Sequence, residues 1–181
     1  MDKRQQAIKL AYSEAKRGAW EPLLSAWRQD PQLAKLCSRY RKPSSGWTFL
    51  HQAAYFGHEA ACRELIRLGA AAAALSDEQQ RPTDVAEEHN HFLLAAFLAR
   101  ACESEDISRR SLSNPDLLPS SSLWNEALER QASELMCVAY GDYIVKIPAG
   151  SRYYVDSFER TLVGWHGTFD PPSGMSGESM V

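Results

Sequence analysis

The sequence has no long hydrophobic run, since no apolar stretch approaches the roughly 18 to 20 residues that span a bilayer. Its first residues, MDKRQQ, lack the apolar core of a signal peptide, so we expect a protein of the cytoplasm or nucleus that does not enter a membrane. Cysteine is sparse too. The four cysteines are far apart, with no C-x-x-C pair, and no N-glycosylation acceptor occurs. This pattern favours reduced, mostly buried thiols.

Motifs of common enzymes are also missing. The chain has no glycine-rich phosphate loop, and no serine or cysteine lies in a recognisable nucleophile elbow. We therefore expect no catalytic residues and no cofactor, which favours a binding protein over an enzyme.

The sequence does contain enough apolar material for a folded core. Hydrophobic residues make up 44% of the 181, with five Trp and seven Tyr, so disorder of the whole chain is not expected. The formal net charge of −3 hides a gradient: residues 1–45 carry ten Lys and Arg against four Asp and Glu, whereas residues 123–181 carry four against eight. A basic face at the start suits an acidic partner or a nucleic acid, but solvated helix faces commonly carry such charge. We favour the solvated face and do not expect nucleic-acid binding.

Three residues recur at an interval of 33 positions: Ala53 as Ala86, His58 as His91, and Leu65 as Leu98. Thirty-three residues is the length of an ankyrin repeat, whose signature is T-P-L-H-x-A. From Gly46 to Gly69 the chain, GWTFLHQAAYFGHEAACRELIRLG, closely resembles such a repeat and departs from it mainly at Phe49, where proline is usual. A second copy, RPTDVAEEHNHFLLAAFLA, departs further from the signature: Gln79 and Asn90 stand where the first copy has glycine.

The resemblance gives residues of the first copy structural roles. Thr48 is expected to cap the first helix, and Gly57 to provide the left-handed step that ends it. His51 and His58 are then framework residues instead of ligands. The segment EEHNH has the ligand types of zinc, but the same alignment makes His91 structural, so we expect no metal.

A third copy is predicted upstream. The segment EAKRGAWEPLLSAW (14–27) fits it, with Ala15 and Gly18 matching Ala54 and Gly57. Its offset is 39 instead of 33, so about six extra residues occupy the connection through the insertion at 30–45. Because repeats cannot bury their faces alone and about three are needed, this count is the minimum.

The resemblance also implies a partner-binding surface, because ankyrin proteins bind along one concave face made of the turn tips and the exposed positions of each first helix. Carried over residue by residue, that surface comprises Lys16, Arg17, Trp47, Tyr55, Phe56, Gln80, Glu88 and His89. The middle three are aromatic, the side-chain type that interface hot spots favour. An alternative stays open: Trp47 and Phe56 instead pack against the insertion at 30–45 or against the carboxy-terminal sheet.

Residues 103–122 are rich in Ser, Pro and charge and predict a linker. Within it, RSLSNP (110–115) resembles the phosphopeptide that 14-3-3 proteins bind, with Ser113 as the phosphate acceptor. A 14-3-3 protein is therefore a candidate partner if Ser113 is phosphorylated. The carboxy-terminal ESMV, through Ser179 and Val181, matches the chain ends that PDZ grooves bind.

The last part of the chain changes pattern again. The segment LWNEALERQASELM (123–136) has apolar residues on one helical side and predicts a helix. The segment 137–172 is crowded with β-branched and aromatic residues between glycines and prolines, and predicts three or four short antiparallel strands with turns at 148–150 and 157–160. We recognise no family in this part.

This region carries the alternative function, a pocket that binds a small ligand or performs catalysis while the repeats serve as a scaffold. Its lining would be Tyr140, Tyr143, Tyr153, Tyr154, Trp165 and His166, although alternation along strands buries about half of them. The predicted protein is α+β: an ankyrin-type stack of about three helical hairpins at 1–102, a linker at 103–122, and a small helix-plus-antiparallel-sheet domain at 123–181 that caps the repeats. The favoured function is that of an adaptor that binds another protein through the concave face.

Overall fold

The computed structural model describes residues 2–105, 114–164, 167–172 and 179. The chain divides into two compact units, residues 1–105 and 106–181. The described part of the first unit is helical, and that of the second contains short strands, so the α+β class predicted from the sequence is confirmed. None of the described helices is long and apolar enough to span a membrane.

Seven α-helices are described in the first unit. They are α1 (Lys3–Lys16), α2 (Trp20–Gln29), α3 (Pro31–Arg39), α4 (Phe49–Tyr55), α5 (Glu59–Leu68), α6 (Pro82–Glu88) and α7 (Phe92–Glu103). Each of the helices α1, α4 and α6 contacts the helix that follows it, and α4 also contacts both α1 and α6. The three therefore form a row with α4 in the middle.

The backbone repeats the 33-residue interval seen in the sequence. Gly46 and Gly57 have φ of 69° and 66°, and the residues 33 positions later, Gln79 and Asn90, have φ of 61° and 63°. Side chains disfavour this left-handed region, so two non-glycine residues adopting it is uncommon. The turn and the helix end of the second copy thus keep the shape of the first without its glycines.

The helix starts also correspond. Thr48 caps α4: its Oγ1 accepts from the His51 backbone N–H at 3.4 Å, and the His51 Nδ1 accepts from the Thr48 backbone N–H at 3.2 Å. In the second copy, Asp84 Oδ2 accepts from the Arg81 backbone N–H at 2.7 Å. The cap of α4 is reciprocal and that of α6 has one bond, and both satisfy amides that no helical carbonyl reaches.

The insertion at 30–45 contains a helix, α3, that the repeat alignment treats only as a connection. Asp30 Oδ1 accepts from the Leu33 backbone N–H at 3.0 Å, and Pro31 occupies the first helical position, where its missing N–H costs nothing. Ala34 and Cys37 are buried, and α3 contacts α5. Burial raises the pKa of the Cys37 thiol to about 12, so it stays protonated at neutral pH.

The described residues of the second unit contain six short strands: β1 (Ser120–Ser121), β2 (Leu128–Gln131), β3 (Met136–Tyr140), β4 (Tyr143–Ile147), β5 (Arg152–Val155) and β6 (Thr161–Leu162). One sheet has the order β1-β6-β5-β2, and a two-stranded sheet pairs β3 with β4. The antiparallel strands predicted for the last part of the chain are confirmed for the pairs β2–β5, β3–β4 and β5–β6. The strand β1, which lies in the predicted linker, pairs with β6 in parallel. Turns are present within the predicted segments 148–150 and 157–160.

The helix predicted at 123–136 was also wrong. Only a short 3₁₀ turn, Trp124–Glu126, is helical there, and β2 follows it. Trp124 is buried and donates from its indole N–H to the Val163 carbonyl at 3.3 Å, while β2 pairs with β5 from Leu128 to Gln131. Long-range pairing therefore overrides a local pattern that has helical spacing.

Candidate functional site

A groove of about 470 Å³ opens in the first unit between α1, α4 and the turn that precedes α4. We call it the α1–α4 groove. Its lining residues are Tyr12, Lys16, Lys42, Ser45, Trp47, Gln52, Tyr55 and Phe56. Four of the eight residues predicted to bind a partner therefore line one concavity.

The aromatic side of the α1–α4 groove is formed by a chain of neighbouring rings. The ring centroids of Trp47 and Tyr55 are 6.3 Å apart, and those of Tyr55 and Phe56 are 5.0 Å apart. Tyr55 is 40% exposed and Phe56 39% exposed, while Trp47 is half-buried. The exposed parts of these neighbouring rings are available for contact with another molecule.

Two buried polar side chains form the deepest part of the lining. The Gln52 amide donates from Nε2 to the Tyr12 hydroxyl at 2.9 Å, and both residues are less than a tenth exposed. Burial raises the pKa of the Tyr12 phenol, so it stays neutral at physiological pH. Because the bond joins α1 to α4, it fixes the distance between the two walls.

The charged part of the lining is cationic. Lys16 is exposed and Lys42 is half-buried, and neither forms an ion pair with any residue that the structure describes. Two nearby arginines differ in this respect: Arg17 pairs with Glu14, and Arg41 pairs with Asp77 at 2.8 Å. The lining itself contains no carboxylate.

The turn before α4 presents Trp47 through its own backbone bonds. The Lys42 N–H donates to the Trp47 carbonyl at 2.8 Å, and the Gly46 N–H donates to the Lys42 carbonyl at 2.8 Å. A Cβ at Gly46 would lie 2.7 Å from the Asp77 backbone nitrogen, so this position suits only glycine. The Asp77 N–H in turn donates to the Ser45 carbonyl at 2.9 Å, which links this turn to the next one.

The alternative packing of Trp47 and Phe56 is observed only in part. A Cβ on Gly18 would come within 2.8 Å of the Phe56 ring, so Phe56 packs over that glycine while keeping an exposed edge. Lys42 and Ser45, which belong to the insertion at 30–45, line the groove beside Trp47. The insertion thus contributes to the concavity.

The predicted residues of the second copy lie outside the groove lining. Gln80 donates from Nε2 to Glu88 Oε1 at 2.8 Å. The His89 ring centroid lies 4.1 Å from that of Tyr55, and its Nδ1 donates to the Val85 carbonyl at 2.9 Å. His89 therefore extends the aromatic row beyond the groove.

His51 is a framework residue, as expected. It is fully buried, and its Nε2 lies 2.9 Å from the Gln80 carbonyl. Because Nδ1 accepts from Thr48, Nε2 carries the proton and donates to Gln80. Burial lowers the pKa of His51. In the second copy, His91 Nε2 lies 3.1 Å from the Tyr55 carbonyl.

The residues of the alternative pocket are not all described. Trp165 and His166 lie outside the described residues, and so do Ser113 of the phosphorylation motif and Val181 of the tail. Tyr140 and Tyr154 belong to different sheets, on β3 and β5, where the Tyr154 ring centroid lies 5.9 Å from that of Trp124. Tyr143 is exposed, and Tyr153 is paired in register with Arg130.

Sequence reasoning missed half of the groove lining: Tyr12, Lys42, Ser45 and Gln52. Tyr12 and Lys16 are four residues apart on α1, and Gln52 and Tyr55 are three apart on α4, so each pair shares a helix face. That spacing was a usable signal. Lys42 and Ser45 had none, because the insertion breaks the repeat alignment.

Among the described residues, no group of three or more His, Cys, Asp and Glu is arranged to hold a metal ion. Burial raises the pKa of the Cys62 thiol in α5, so it remains a neutral core residue. The groove presents aromatic rings, two ammonium groups and a fixed amide–hydroxyl pair.

No family model matches the chain, and no solved structure matches it. A curated protein that does match is the calmodulin-binding transcription activator 3 of Arabidopsis thaliana, to which this chain is 32% identical over 94 residues. The match covers 49% of this chain and 9% of that protein, so the chain spans only a small part of that relative's length. The activities in that name describe the whole plant protein.

Proposed function

We propose that residues 2–105 form an ankyrin-type array in which the hairpins α1–α2, α4–α5 and α6–α7 stack side by side. The positive φ angles at Gly46, Gly57, Gln79 and Asn90 support this reading, because they recur at the interval of one repeat. Contacts of α4 with α1 and with α6 support it too, since the first helices of stacked repeats are neighbours.

The array acts as an adaptor, a protein without catalytic activity that binds another protein in the cytoplasm or nucleus. One observation carries the proposal: Trp47, Tyr55 and Phe56 gather around a groove of about 470 Å³ on the side of the first helices. Aromatic residues in a partly enclosed site are enriched among the side chains that dominate binding energy. The fixed Tyr12–Gln52 bond holds the groove open before the partner arrives, which lowers the entropic cost of binding.

The test is affinity capture from the native cell, followed by mass spectrometry, with matched variants of the full chain. Trp47→Ala combined with Phe56→Ala removes two of the four aromatic rings that line the groove. The matched control is Phe92→Ala combined with Leu93→Ala, which deletes comparable apolar area at exposed positions of α7 outside the groove. Circular dichroism must show that both double variants retain the helical signal.

We expect the groove variant to lose at least tenfold of the specific partner signal and the α7 variant to keep it, because each truncated hot-spot residue costs about 2 kcal/mol or more. A Tyr154→Ala variant tests the second unit in the same experiment. If capture depends on Tyr154 and not on Trp47 and Phe56, the groove is not the binding site and the alternative pocket gains.

A further inference from the structure

The charged side chains that line the α1–α4 groove are all positive. Its lining holds two ammonium groups, those of Lys16 and Lys42, and no carboxylate. Neither ammonium is paired with a described residue, whereas Arg17 and Arg41 are each paired with a carboxylate. The groove lining therefore carries positive charge that no described carboxylate compensates.

The two charges lie on different elements that the fold brings together. Lys16 ends α1, and Lys42 lies in the turn before α4. The rings of Trp47, Tyr55 and Phe56 line the same groove. A ligand that fills the groove therefore meets both aromatic surface and the positive charge of two lysines.

From this arrangement we propose that the α1–α4 groove binds an acidic peptide segment, in which an apolar or aromatic side chain packs against Trp47, Tyr55 and Phe56 while flanking carboxylates contact Lys16 and Lys42. This inference rests on the proposed adaptor function and adds the chemistry of the partner. Complementary charge at an interface selects partners and speeds association.

A nucleic acid fits the groove less well. Nucleic-acid binding uses a run of cations along the phosphate backbone. Here Arg17 and Arg41 are paired with Glu14 and Asp77, which leaves the two ammonium groups of Lys16 and Lys42 in the groove lining. Two charges suit two side-chain carboxylates better than a polyphosphate.

The experiment is selection of a random 12-residue peptide library on the full chain, with each selected clone retested on Trp47→Ala/Phe56→Ala. Clones that lose binding to this variant are groove-dependent. We expect the groove-dependent clones to be enriched at least twofold in Asp and Glu over the unselected library, around a central aromatic or large aliphatic residue.

The outcomes separate this inference from the adaptor function. Groove-dependent clones without an excess of Asp and Glu, or with an excess of Lys and Arg, overturn the acidic-peptide proposal and leave the groove as a binding site. A selection that yields no groove-dependent clone counts against both. A 12-nucleotide single-stranded RNA that binds the groove more tightly than the best peptide also overturns the proposal.

Charge reversal then tests the two lysines directly. Fluorescence anisotropy measures the affinity of the best acidic peptide for Lys16→Glu/Lys42→Glu and for the control Lys3→Glu/Arg28→Glu, which makes the same change in net charge away from the groove lining. We expect at least tenfold weaker binding to the first and less than twofold change in the second. Equal losses in both variants would show that only net charge matters and would overturn the assignment.

Discussion

The hairpins α4–α5 and α6–α7 have nearly the same backbone turns but different residues at the positions that form them. The first hairpin uses Gly46 and Gly57, and the second uses Gln79 and Asn90 at almost equal φ. The first hairpin is capped by Thr48 with His51, and the second by Asp84. The comparison teaches that this shape is held by hairpin packing and caps, so that single turn residues can change while the backbone stays.

A second difference is the residue at the first helical position. Phe49 of α4 is fully buried, with its ring centroid 5.2 Å from that of Tyr12 and 5.7 Å from that of Trp27. Pro82 occupies the equivalent position of α6. The hairpin α4–α5 therefore shares an aromatic core with α1 and α2 through Phe49. The hairpin α6–α7 has no ring of this kind at the equivalent position.

The largest effect is expected from deleting the ring that distinguishes the two hairpins. Phe49→Ala should lower the free energy of unfolding by about 3 to 5 kcal/mol, because a large buried aromatic side chain leaves a cavity. Pro82→Ala should cost about 1 kcal/mol, since it removes a smaller ring and adds freedom to the unfolded chain. Urea unfolding followed by circular dichroism at 222 nm measures both. Equal costs would mean that the hairpins do not differ in packing.

The next effect concerns the helix end. Gly57→Ala should cost about 2 to 4 kcal/mol, because a left-handed alanine is strained and its Cβ would lie 2.5 Å from the His91 ring. Asn90→Ala should cost less than half as much, because the second hairpin already accommodates a side chain there. The same unfolding assay separates them. A smaller loss for Gly57→Ala than for Asn90→Ala would contradict the account.

Restoring glycine to the second hairpin should have a smaller and opposite effect. Gln79 is exposed and has φ of 61°, so Gln79→Gly should raise the free energy of unfolding by about 0.5 to 1 kcal/mol through relief of backbone strain. Gln79→Ala is the control and should give no gain, since alanine keeps the strain. Destabilisation by Gln79→Gly would show that the glutamine side chain has a role of its own.

The smallest effect is on the pH dependence of stability, to which His51 in the α4 cap contributes. Burial lowers the folded-state pKa of His51 below its ordinary value of 6.5. Falling pH therefore protonates the unfolded state first, so stability is full above about pH 6.5 and decreases as pH falls towards the folded pKa. His51→Gln should reduce this slope between pH 7.5 and 5.5. Unchanged pH dependence in that variant would exclude His51 as its source.

The part of the fold that the sequence predicts is the part held by local contacts. The Thr48 cap and the left-handed Gly57 follow from residues within a few positions. The sheet could not be read in this way, because Leu128 pairs with Val155 and Ser120 with Thr161. Those partners are far apart along the chain, and hydrophobic periodicity carries no information about pairing.

The same distinction between local and long-range contacts applies to the residues of the candidate site. Trp47, Tyr55 and Phe56 could be placed by the repeat resemblance, since each has a fixed position in the unit. Tyr12 and Gln52 meet across 40 positions of sequence, and Lys42 lies in an insertion with no counterpart in the other hairpin. Their place in the groove depends on how α1 packs against α4, which only the tertiary structure gives.

The most direct measurement of the central claim is photo-crosslinking in the native cell, with p-benzoylphenylalanine placed at Tyr55, Leu93 or Tyr143 of the full chain. Leu93 is 90% exposed on α7, and Tyr143 is 75% exposed on β4 of the second unit, so all three positions are accessible to a partner. The account predicts a partner adduct from position 55 and none from positions 93 and 143. An adduct from position 143 with none from position 55 would contradict it.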